Sequence, residues 1–128
     1  MLKKIMSYLN IGSPHVDLVL MQNQIMPGST VNGSFHLKSG WANLEIKRLE
    51  CDLVKVTEGK KTETVDLVTT ILMSKKIEAK EKTEIPFSYR IPADLPPSSE
   101  GFTYRLNTRL IFSENIKSFD HDEIVLLG

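Results

Sequence analysis

The sequence predicts an all-β protein, an antiparallel sandwich of two sheets. Three observations carry this. Apolar residues alternate with polar ones at period 2 nearly everywhere after the first dozen residues. Turn-forming residues punctuate these runs. No helical stretch lies between the strands to serve as the crossover a parallel sheet requires.

The first element is the exception. Leu2, Ile5, Met6 and Leu9 recur at the spacing of one helix face, with Lys3, Lys4 and Ser7 elsewhere on the wheel. Gly12 and Pro14 end this amphipathic helix, assigned to residues 1–12, and the sandwich domain takes residues 13–128. A helix this short is marginal alone in water, so its apolar face needs a surface: its own sandwich, a partner groove or a membrane.

Strands follow in order. Val16 to Leu20 is short. In Thr30 to Leu37, Val31, Phe35 and Leu37 share a face with Gly33, and Met26-Pro27-Gly28-Ser29 before it is a tight turn. Leu44 to Thr57 changes phase: Leu44 and Ile46 occupy one parity, Leu49, Cys51 and Leu53 the other. That predicts a bulge or bend near Lys47–Arg48. After a turn at Glu58 to Lys61, Thr62 to Met73 is read as burying Val65, Leu67, Ile71 and Met73. In Lys82 to Ile91, Ile85, Phe87, Tyr89 and Ile91 face inward, and Pro86 demands an edge position or a bulge, having no N–H for a ladder. Phe102 to Phe112 has the clearest alternation. Ser113 to Asp122 is read as a loop, and Glu123 to Leu127 as the seventh and last strand.

Composition narrows the function classes. Sixteen basic side chains balance sixteen acidic ones, without the basic excess that phosphate neutralisation rewards, so no nucleic-acid partner is expected. Cys51 stands alone, which excludes an intramolecular disulfide and suits a small buried apolar residue. The start lacks the apolar h-region and cleavage site of a secretory signal, and no run is long enough to span a bilayer, so the expected location is the cytoplasm. Gly59-Lys60-Lys61-Thr62 lacks the second glycine of a phosphate loop. Neighbours in Asp120-His121-Asp122 point to opposite faces of an extended chain and do not converge on a metal. No nucleophile-elbow or dinucleotide signature is present, and no catalytic, metal or cofactor residue is assigned.

Three stretches carry a family resemblance. Ile25 to Gly33, with Pro27-Gly28 and Val31-Asn32-Gly33, resembles the amino-terminal signature of arrestin-type sandwiches. Ile85 to Ser98, with Pro86-Phe87, Pro92 and Leu95-Pro96, resembles a later strand and loop of that fold, and Phe102 to Leu106 the strand after it. Leu2 to Leu18 and Phe119 to Ile124 are most similar to the bacterial sporulation-control protein M family. The resemblance implies an arrestin-like, immunoglobulin-like sandwich, corresponding to the first of two such halves. It further implies an adaptor or regulator with no enzyme activity and no cofactor.

The expected function is therefore protein binding through sheet edges and loops, with a homodimer through edge strands as one form of it. The alternative is a weak peripheral membrane contact through Leu2, Ile5, Met6 and Leu9, the candidate contact residues.

Overall fold

The computed structural model describes residues 14–38, 44–58, 61–78, 81–113 and 116–128. Among them are eight strands and no α-helix: β1 (His15–Leu20), β2 (Gln24–Ile25), β3 (Thr30–Lys38), β4 (Leu44–Thr57), β5 (Lys61–Ile77), β6 (Lys82–Arg90), β7 (Phe102–Phe112) and β8 (Lys117–Leu126). They form two sheets, one of three strands in the order β1-β3-β6 and one of five in the order β2-β8-β7-β4-β5. All pairings are antiparallel except β2 with β8. The helix assigned to residues 1–12 lies outside the described residues.

The alternating residues of the two sheets meet in one core. Val16, Leu18, Val31, Phe35 and Leu37 come from the small sheet; Leu49, Cys51, Leu53, Tyr104, Leu106, Leu110, Phe112 and Ile124 come from the large one. Phe35 and Phe87 meet edge to face at 5.3 Å between centroids, a geometry aromatic quadrupoles favour. The Tyr104 hydroxyl leaves the core by donating to the Pro96 carbonyl oxygen at 2.8 Å, which ties the Pro92–Gly101 loop to β7.

Two glycines are required by the backbone. Gly28 has φ of 87° and closes the Met26–Ser29 turn, where the Ser29 N–H donates to the Met26 carbonyl at 3.0 Å; only glycine adopts that φ without strain. A Cβ on Gly33 would lie 2.2 Å from the Val19 carbonyl oxygen, so β1 packs directly over this position.

The phase change in β4 is a register shift between Ile46 and Arg48, seen against both β5 and β7. The Pro86 strand, β6, stands at the edge of its sheet. Three readings are corrected. First, Leu67 is 73% exposed instead of buried. The pairing with β4 passes over Val65 and Val68, so the face alternation of β5 resets twice and Val68 packs against the core instead. Second, β8 begins at Lys117, inside the segment read as a loop. There the polar residue Ser118 is buried and Phe119 is 64% exposed, an inversion that hides the strand from hydrophobic periodicity. Third, β2 makes an eighth strand of two residues, shorter than any periodic signal.

Candidate functional site

The four sheet edges are treated very differently. On β1 the outward backbone donors are capped by side chains of β8. The Val16 N–H donates to Ser118 Oγ at 3.0 Å and the Leu18 N–H to Asp120 Oδ2 at 2.8 Å. This seam closes one side of the sandwich. The edge of β6 is interrupted by Pro86, and the Tyr89 hydroxyl reaches across to Asp66 Oδ2 of β5 at 2.5 Å. β2 is two residues long. That leaves β5, 17 residues long and paired on one side only. A row of unpaired N–H and C=O groups on such a strand is a template for another chain.

The side chains of β5 reinforce this. Leu67 stands opposite Asp52 and Leu72 opposite Arg48. Arg48, Glu50 and Asp52 share the outer face of β4. Arg109 of β7 donates to Glu50 at 3.0 Å and Asp52 at 2.9 Å, and Arg48 pairs with Glu50 at 3.2 Å. The hydrogen bond to Glu50, above all, holds the Arg109 guanidinium more firmly protonated than usual. Both leucines therefore project on the same outer face, beside a charged spine. They are 73% and 77% exposed. Leaving a leucine in water forgoes about 1.5–3 kcal/mol relative to burying it, so two on one edge strand mark a surface suited to a partner.

A second feature sits at the β1–β8 seam. Carboxylate oxygens of Asp17, Asp120 and Asp122 all lie within 4.8 Å of one another. Residues two apart on β8 share a face, which brings Asp120 and Asp122 together; His121 turns to the other face, opposite Asn107. Asp17 joins them from β1, the strand whose Leu18 N–H donates to Asp120. Burial pushes Asp122 up to about 7, with Asp120 beside it and the charge of Asp17 acting in the same direction. One of its oxygens is buried without a hydrogen-bond partner.

Other candidates are quieter. His15 and His36 line one groove of about 280 Å³ with Asp17, Lys38, Lys82 and Glu84. His36 is held by Ser34 at 3.0 Å and Glu84 at 3.4 Å. Thr83, the hydroxyl residue of that groove, donates to Glu81 at 3.3 Å. Cys51 is fully buried, and burial raises its thiol to about 12. Leu2, Ile5, Met6 and Leu9 lie outside the described residues. No helix among the described residues is long and apolar enough to cross a membrane.

Comparison with known proteins places this geometry. The sequence model described as "SpoOM protein" matches residues 2–127. The chain is 27% identical over 128 residues to the sporulation-control protein spo0M of Bacillus subtilis (strain 168), covering 95% of this chain and 50% of that protein. The crystal structure of Spo0M from Bacillus subtilis superposes with a TM-score of 0.80 at 24% identity, over 92% of this chain and 51% of that one. A superoxide reductase (neelaredoxin) from Ignicoccus hospitalis shares the fold at lower similarity, with a TM-score of 0.57 and 10% identity over 93% of this chain and 86% of that one. The chain thus spans about half the length of the sporulation-control relative it matches. With a two-sheet β-sandwich and a family match running almost end to end, the chain belongs to the SpoOM protein family.

Proposed function

We propose that this chain is an arrestin-like, non-enzymatic protein-contact domain that acts in the bacterial cytoplasm as an adaptor or regulator of sporulation-type control, with β5 as its contact element. The observation that carries the reading is the contrast among edges. β1 is capped, β6 is broken by proline, β2 is minimal, and β5 presents a long unpaired edge with Leu67 and Leu72 exposed. Strand addition to such an edge gives affinity through backbone hydrogen bonds and selectivity through alternate side chains. Family membership supports the regulatory role, since the Bacillus subtilis relative is named for sporulation control.

The test is site-specific photocrosslinking in living bacterial cells. A benzophenone amino acid placed at Leu72 is expected to give discrete covalent adducts with protein. The same probe at Ser88, exposed on β6, is expected to give none. Adducts from Ser88 and not from Leu72 would overturn the assignment of β5.

A further inference from the structure

The chain enters β1 at one corner of the sandwich, and the two outer sheet faces near that corner differ in chemistry. Around His15 the small sheet presents an ionic surface of His15, Asp17, His36, Lys38, Lys82 and Glu84. The large sheet presents Phe119, 64% exposed, with half-buried Ile111 beside it. Both stand on the outer face. Ser118 turns inward to accept the Val16 N–H, so its neighbour Phe119 points the other way. Phe119 lies opposite Arg109, and Ile111 lies opposite Lys117. Phe119 is the only large exposed aromatic among the described residues.

We propose that the occupant of this patch is the chain's own amino-terminal segment, with Leu2, Ile5, Met6 and Leu9 seated on Phe119 and Ile111. The point of entry is adjacent. Val16 N lies 3.0 Å from Ser118 Oγ and Leu18 N lies 2.8 Å from Asp120 Oδ2. β1 and β8 therefore run side by side in the same direction, which puts Pro14 at the Lys117 end of β8. The way round β8 is open at that end, since β2 extends the large sheet only beside Val125 and Leu126.

Length and chemistry fit as well. As a helix, the apolar stripe from Leu2 to Leu9 is about 10 Å long, or about two strand spacings. It reaches from β8 across β7 and stops short of β5, whose edge and leucines stay free. The stop at Gly12 to Pro14 supplies the turn around β8. A helix this short is marginal in water, and an exposed phenylalanine forgoes the gain of burial. Docking withdraws both apolar surfaces from water at once, while Lys3 and Lys4 fall outside the stripe and keep their hydration.

Photocrosslinking of the purified 128-residue chain tests the inference, with a benzophenone amino acid at Met6 and an equal mixture of isotopically light and heavy copies. Peptide mapping is expected to place adducts on Phe119, Ile111 or their immediate neighbours in β7 and β8, each within one copy. In the unmodified chain, amide exchange over residues 2–9 is expected to be slowed, and Phe119→Ser is expected to speed it by roughly tenfold or more. Thermal unfolding of that variant verifies that the sandwich is intact. Adducts on the small sheet, adducts only between copies, no adducts, or exchange indifferent to Phe119→Ser would each overturn the proposal. So would residues 2–9 that gain protection only when lipid vesicles or cell extract are added, which would assign the stripe to a membrane or to another protein.

Discussion

The β1–β8 seam yields a prediction with its sign fixed by the structure. The perturbation is Asp122→Asn, which keeps the shape of the side chain and removes its charge. Asp122 has an ordinary pKa of 3.8 when unfolded and is pushed up to about 7 in the folded chain, first by burial and then by Asp120 and Asp17. Between those values the folded chain holds a proton that the unfolded chain has lost. The stabilisation from Asp122 is thus complete below about pH 4, declines as pH rises, and is gone above about pH 7. Each pH unit of that interval carries about 1.4 kcal/mol, for a ceiling of about 4 kcal/mol. The carboxyl is partly exposed and water screens it, so about 1–2 kcal/mol is expected. Thermal unfolding followed by circular dichroism at pH 5 and pH 8 reads this directly. Relative to the Asp122→Asn variant, the wild-type chain is expected to lose about 3–6 °C per kcal/mol between the two conditions. The variant is expected to be the more stable of the two at pH 8. Parallel pH profiles for the two proteins would refute the reasoning, because they would show that no excess proton is held at this site.

Further predictions address the seam, the backbone and the core. Ser118→Ala removes the acceptor of the Val16 N–H and is expected to cost about 1–3 kcal/mol in urea unfolding, the penalty of a buried donor left without a partner. Gly33→Ala drives a methyl group to 2.2 Å from the Val19 carbonyl oxygen; a loss of about 1–3 kcal/mol is expected. Gly101→Ala, whose nearest neighbour would be Ser99 Oγ at 3.7 Å, is expected to be near neutral in the same assay. Native Cys51 is expected to react with a thiol reagent at pH 8 roughly a thousandfold more slowly than a free cysteine, since its thiolate is that much scarcer. Rapid labelling without denaturant would contradict its burial.

The sequence was most readable where strand, face and burial agree. In β7 the alternation from Phe102 to Phe112 marks the inward face directly, and the parity change around Lys47 locates the β4 bulge. Pro86 identifies an edge strand because its missing donor is a covalent fact. The failures share a cause, which is that polar or irregular contacts set the face. Ser118 and Asp120 turn toward β1 to accept its backbone N–H groups, so hydrophobic periodicity reports a loop where β8 runs. Leu67 faces solvent because two bulges, both opposite β4, reset the alternation of β5. The aspartate cluster required knowing that β1 lies beside β8, a neighbour relation across more than a hundred residues. The same holds for the proposed contact edge. Local sequence identifies β5 as a strand, but only the sheet order shows that it is last in its row.

Site-specific photocrosslinking scanned along both long edges in living bacterial cells tests the central claim most directly, since a strand added to an edge lies within reach of the residues it engages. The account predicts protein adducts from exposed positions in Lys61–Ile77 and none from exposed positions in Lys82–Arg90, the other long edge. Adducts from Lys82–Arg90 and not from Lys61–Ile77, or from neither strand, would contradict it.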